Sequence, residues 1–137
     1  MRDLANHIAV RRGISPAAAI TDNTPFVSQI IDLAGFDSAM FVINAGSLAD
    51  ADATFTALVE HGDAANLADA AAVPDSNLTG TEAAASLTFA DDNAVKKIGY
   101  VGSKRYVRLT ITPANNAGNA FISAVALLSG ARFVPAT

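Results

Sequence analysis

Ala94 to Thr112 reads AVKKIGYVGSKRYVRLTIT, and this stretch decides the fold. Lys104 to Thr112 alternates: Val107, Leu109 and Ile111 fall on one side, and Tyr106, Arg108, Thr110 and Thr112 on the other. A period of two is the signature of a half-buried strand. Ala94 to Val101 is a second such run. Gly102-Ser103 between them has glycine first, which suits a two-residue hairpin loop of the II′ kind. The expectation is an antiparallel hairpin.

The same signals recur outward in both directions. Asn6 to Arg12, Phe26 to Leu33, Ser38 to Asn44, Thr54 to Glu60, Ala85 to Phe89 and Phe121 to Leu128 read as strands. Ser38 to Asn44 (SAMFVIN) is nearly all apolar, as in a strand covered on both faces. Ile14 to Ile20 is interrupted by Pro16, so it reads as an edge strand or an extended arm. His61 to Thr81 is acidic and rich in alanine, a long excursion with at most a helical turn around Ala64 to Ala71. Asp22-Asn23-Thr24-Pro25, Asp91-Asp92-Asn93 and the 113–119 loop supply turns. No segment holds a capped helical period. The fold expected is all-β: an antiparallel β-sandwich, jelly-roll-like, of about eight to ten short strands. One domain spans residues 1–137, with residues 1–24 as an extended N-terminal arm.

Composition removes several chemistries. There is no cysteine, hence no disulfide framework or thiolate nucleophile. Of the 51% hydrophobic residues a large share is alanine, 30 in all, so the core is smaller than the percentage suggests. The longest apolar run, Ala120 to Leu128, is too short to span a bilayer. The opening MRDLANHIAVRRG lacks an apolar leader core, so secretion by a cleaved signal is not expected. His7 and His61, the two histidines, have no metal-ligand spacing. Asp50, Asp52, Glu60 and Asp63 depart from a calcium-loop pattern. Gly99 to Lys104 fails the phosphate-loop rule, and no G-x-S-x-G elbow occurs. No catalytic residue, cofactor or metal is expected, and the chain reads as a non-enzyme.

Charge is unevenly placed. The net charge is −4, yet no Lys or Arg lies between Gly13 and Val95. Twelve of the 13 acids fall between Asp22 and Asp92. The cations gather in Arg11 and Arg12 and in Lys96, Lys97, Lys104, Arg105 and Arg108. Either the chain ends lie beside the acidic loops and the charges mix, or a basic face opposes an acidic one. Together with Tyr106, these seven cations are the candidate interface residues, because Arg and Tyr favour protein contacts. The acidic balance argues against a nucleic-acid partner, and neither a membrane nor a small-molecule substrate is expected.

Lys97 to Pro113, Leu48 to Phe55, Val59 to Asp63, Leu78 to Ala84, Ala90 to Asn93 and Ser123 to Leu128 together resemble the strands and turns of small virion proteins of tailed phages and prophages. The resemblance implies a capsid decoration, or cement, protein on the outer capsid surface. Its implied partners are the major capsid protein and further copies of itself, as a homotrimer. The same resemblance admits a tail or head–tail joining protein. A sugar- or receptor-binding β module is the further alternative.

Overall fold

The computed structural model describes residues 2–137; Met1, the first residue of the expected arm, lies outside them. Eleven strands form two antiparallel sheets packed as a sandwich, as the alternation predicts. The strands are β1 (Ala9–Ile14), β2 (Phe26–Val27), β3 (Ile31–Asp32), β4 (Ser38–Leu48), β5 (Thr54–Gly62), β6 (Ala71–Ala72), β7 (Leu78–Thr79), β8 (Leu87–Thr88), β9 (Val95–Tyr100), β10 (Tyr106–Ala114) and β11 (Ala120–Ser129). One sheet runs β1-β11-β4-β9-β7. The other is centred on β10 and β5, with β2 and β3 along the free side of β10 and β6 and β8 along that of β5.

The period of two holds along the long strands. In β10, Val107, Leu109 and Ile111 are fully buried. From the opposite sheet Phe41, Ile43, Ile98, Ile122 and Leu128 meet them in a single core. Ala39, Ala45, Ala57, Ala124 and Ala126 also face inward, so the alanine excess serves as strand core rather than helix. In β4 only one face is buried; Met40 and Val42 on the other are half-exposed, so the strand is not covered on both faces.

Three expectations are corrected. The 94–112 stretch is not a hairpin: β9 pairs with β4 and β7 in one sheet, and β10 pairs with β5 in the other. The reason is burial. Ile98 and Tyr100 point into the core from one layer while Val107 and Leu109 point into it from the other, and a tight hairpin would keep both strands in one layer. Tyr100 fixes the crossing, since its hydroxyl accepts the Lys104 N–H at 3.0 Å. Gly102 lies against that hydroxyl where no Cβ would fit.

The helical turn falls elsewhere. Residues 64–70 form turns around Leu67, held by the Asp69 carboxylate, which accepts the N–H groups of Asp63 and Ala64 at 2.8 and 3.1 Å. The helix is α1 (Glu82–Ala85), capped by Thr81 Oγ1, which accepts the Ala84 N–H at 3.0 Å. It lies along β5 between β8 and β6. There Ser86 Oγ accepts the Ala57 N–H at 2.9 Å and Glu82 Oε1 accepts the Val59 N–H at 2.8 Å. These two side chains finish an edge that neither short strand reaches, which closes it to other chains.

The segment expected as an arm is held at two places. Residues 9–14 are β1 itself, and Ile20 bridges to Ala120 through two backbone hydrogen bonds.

Candidate ligand-binding cleft

The cleft lies where the β1 edge of one sheet faces the β3 edge of the other. Its first wall follows from an irregularity. The β1–β11 register shifts between Arg12 and Ile14, and Gly13 sits so close to Ala124 that an added Cβ would come within 2.8 Å of its carbonyl oxygen. Arg11 and Arg12 stand just before this bulge, and both border the cleft. The Gly13 carbonyl accepts the Gln29 N–H at 2.9 Å and so ties the two edges together.

The second wall is the 29–36 segment. Ile31 is buried beneath it. The Asp32 carboxylate accepts the Ala34 N–H at 3.0 Å and turns the chain. Gly35 adopts φ +86°, a conformation that favours glycine, and Phe36 follows. The Arg11 guanidinium stands 5.8 Å from the Phe36 ring centroid and donates to the Thr137 carbonyl at 2.8 Å.

The resulting cleft holds about 440 Å³ and is lined by Arg11, Arg12, Gln29, Asp32, Ala34 and Phe36, among others. A neighbouring cleft of about 300 Å³ shares Ala34 and Phe36 and continues round the end of the sandwich, past Ser38, to Ser103, Lys104 and Arg105. Arg105 Nε and Nη2 each donate to Asp32 at 2.9 Å. This bidentate bond holds the Asp32 carboxyl below the usual carboxylate range and raises Arg105. Asp32 is thereby neutralised. Arg11 and Arg12 have no Asp or Glu within ion-pair distance among the described residues, although Arg11 Nη2 is engaged by the Thr137 oxygen, so the cleft wall carries positive charge in an acidic protein.

The structure brings Arg11, Arg12, Lys104 and Arg105 to this end and sends the other candidate residues elsewhere. Lys96 pairs with Asp91 at 3.2 Å. Lys97 stands on the outer face of its sheet, opposite Val42. Tyr106 and Arg108 share the outer face of the other sheet, where Arg108 pairs with Glu60 at 3.0 Å. Lys104 pairs with Asp63 at 2.7 Å. Four of the five cations in the 96–108 cluster thus meet acids from the middle of the chain. The charges mix, and no continuous basic face forms. Asp50, whose carboxylate accepts the N–H groups of Ala117 and Asp52 at 2.7 and 2.9 Å, braces loops. With Glu60 and Asp63 in their own ion pairs, the suggested calcium-loop residues do not assemble. Gln29, Asp32 and Phe36 were not expected in a site. Asp32-Leu33-Ala34-Gly35-Phe36 carries a turn signal, and nothing in it announces a wall.

No family model matches the chain, and no curated protein does. Similar solved structures include a family two carbohydrate esterase from Cellvibrio japonicus, at 5% identity and a TM-score of 0.43. The likeness covers 95% of this chain but only 36% of that one, so the chain spans about a third of the enzyme's length. The CBM32 module of AlyQ, in complex with 4,5-unsaturated mannuronic acid, is 17% identical over 91% of this chain and 96% of that one, with a TM-score of 0.40. The xylan-binding module CBM15 is 12% identical over 96% and 95%, with a TM-score of 0.42. These neighbours share the β-sandwich class. The expected capsid decoration role is corrected here: the similar structures named are two carbohydrate-binding modules and a carbohydrate esterase. We therefore set that role aside.

Proposed function

We propose that this protein is a non-catalytic binding module whose cleft between β1 and the 29–36 segment takes an anionic, hydroxyl-rich ligand, a carboxylate-bearing saccharide. One observation carries the reading. Two arginines, Arg11 and Arg12, line a cleft of about 440 Å³ with no Asp or Glu paired to them, because Arg105 already occupies Asp32 and the other partner of Arg11 is the Thr137 oxygen. That volume lies in the range of small-ligand sites. Guanidinium groups bind carboxylates in a planar, paired geometry. The Gln29 amide offers both donor and acceptor, the pairing that hydroxyl groups need. Phe36 gives the floor an apolar plane beside these polar groups.

The test is a titration followed by amide NMR, with uronic-acid oligosaccharides, neutral oligosaccharides of equal length and inorganic phosphate as separate probes. Uronic oligosaccharides should shift the amides of residues 11–12, 29–36 and 102–105. Neutral sugars should bind more weakly. Arg12→Ala should weaken uronate binding by about tenfold, as loss of one charged hydrogen bond does, and leave the spectrum otherwise intact. Shifts with phosphate alone, or none at the cleft with any saccharide, would reject the reading.

A further inference from the structure

Residues 131–137 run from the second wall of the cleft to the first. Gly130, at φ +65°, turns the chain out of β11. The Arg132 N–H then donates to the Gly35 carbonyl at 2.8 Å, next to Phe36. Further on, the Ala136 N–H donates to the Asn6 carbonyl at 2.8 Å, just before β1 begins. The oxygen that follows, on Thr137, accepts from Arg11 Nη2 at 2.8 Å. The segment is a strap. Between it and the second wall lies a cavity of about 250 Å³, and Phe36 lines both this cavity and the cleft.

The strap is pinned near its ends and loose between them. Phe133 is 79% exposed and Val134 57%, so lifting this part uncovers little apolar surface. Ala136, half-buried, packs against the core. A segment with so few buried contacts opens at small free-energy cost.

The place where it is pinned bears on the ligand. A guanidinium grips a carboxylate through two N–H groups side by side. Nη2 belongs to both such faces, the one it forms with Nε and the one it forms with Nη1. The Thr137 oxygen stands at Nη2, and Nη1 donates to the Val10 carbonyl at 3.3 Å. With the strap down, Arg11 is turned to oxygens of its own chain.

We infer that residues 131–137 are a self-inhibiting strap: the Thr137 oxygen holds the place on Arg11 that one oxygen of an acidic ligand takes, and ligand binding lifts it. The inference rests on the saccharide site proposed above and adds its regulation. With the strap down the cleft offers the ligand Arg12; with the strap up it offers Arg11 and Arg12 together. The ligand therefore binds the open state more tightly, which is what a population shift requires. A strap down in about nine molecules of ten lowers the apparent affinity about tenfold.

Removal of Ala136 and Thr137 tests this. Amide NMR titrations with uronic-acid oligosaccharides read the affinity, and backbone NMR relaxation reads the strap. The shortened chain should bind about tenfold more tightly than the full chain. Ala136→Pro, which keeps the length and deletes the N–H that reaches Asn6, should also tighten binding. In the full chain, saturation with uronate should release residues 133–137 into fast motion, and Arg11→Ala should do so without ligand. Equal affinities in the full and shortened chains, or a strap that stays ordered at saturation, overturn the strap and leave the saccharide site standing. Uronate bound by neither chain overturns the site and the strap together. If the shortened chain misfolds, Ala136→Pro decides.

Discussion

Tyr100 shows how much one buried hydroxyl does in this fold. It is 2% exposed, and burial raises its phenol above the ordinary tyrosine range. Its oxygen lies 2.9 Å from His61 Nδ1 on the opposite sheet and accepts the Lys104 N–H at the start of the crossing to β10. The ring meets the His61 imidazole edge-on, with centroids 5.7 Å apart. Tyr100→Phe keeps the ring but strands the Lys104 amide, at a cost of about 1–3 kcal/mol. Urea denaturation should show a lower midpoint with an unchanged slope. An unchanged midpoint would mean that water replaces the hydroxyl, and the crossing would need another explanation. The sequence offers Tyr100 as one inward residue of a strand and no more. Its partners are 39 residues upstream and four downstream, and nothing local marks the first.

At the scale of elements, alternation was legible and pairing was not. Period two names the inward residues of β5 and β10 correctly because burial acts on each strand separately, while the apolar run of β4 hid its single buried face. Which strands become neighbours depends on the whole core, so the short 101–105 link misled. The alanine-rich segments were ambiguous for a related reason. Alanine favours helix intrinsically, yet small inward residues also let two sheets approach. Between Gly80 and Leu87 the Thr81 cap settles the matter in favour of a helix. That helix seals β5 through Ser86 and Glu82, and the seal is testable. Ser86→Ala should speed hydrogen exchange at the Ala57 amide, and Glu82→Ala at the Val59 amide, each by about tenfold or more. Amides at Leu109 and Ile111, deep in the same sheet, should be unaffected. Equal protection in both variants would show that some other group covers the edge. The cleft was legible only in part for the same reason as the pairing. Arg11 and Arg12 stand out in sequence as a basic pair, but Gln29, Asp32 and Phe36 become a wall only when β3 lies opposite β1.

For the molecule as a whole, the uneven charge along the chain becomes a dependence on pH. Six aspartates, Asp3, Asp22, Asp32, Asp50, Asp69 and Asp91, are held below the usual carboxylate range. In Asp32 the leading cause is the Arg105 bond, and in Asp3 it is the Asn6 side chain. In the other four the leading cause is a backbone N–H donated to the carboxylate. A carboxyl more acidic in the folded chain than in the unfolded one binds protons preferentially after unfolding. Its contribution is therefore complete above the unfolded value of about 4 and disappears as pH falls through the lower folded value. Stability should be flat from about pH 7 to pH 5 and should drop steeply below about pH 4. Protonation there also removes Asp91 and Asp32, the acids that answer Lys96 and Arg105, and lets the nine Lys and Arg repel one another more strongly. Urea midpoints measured between pH 7 and pH 2.5 read this directly. Asp32→Asn should lower stability at pH 7 and make the acid limb shallower, because the variant has already lost what the proton removes. A variant whose acid limb runs parallel to the parent's would show that the ion pair with Arg105 contributes nothing to folding, as many exposed pairs do. Asp3, Asp22, Asp50, Asp69 and Asp91 would then carry the acid response.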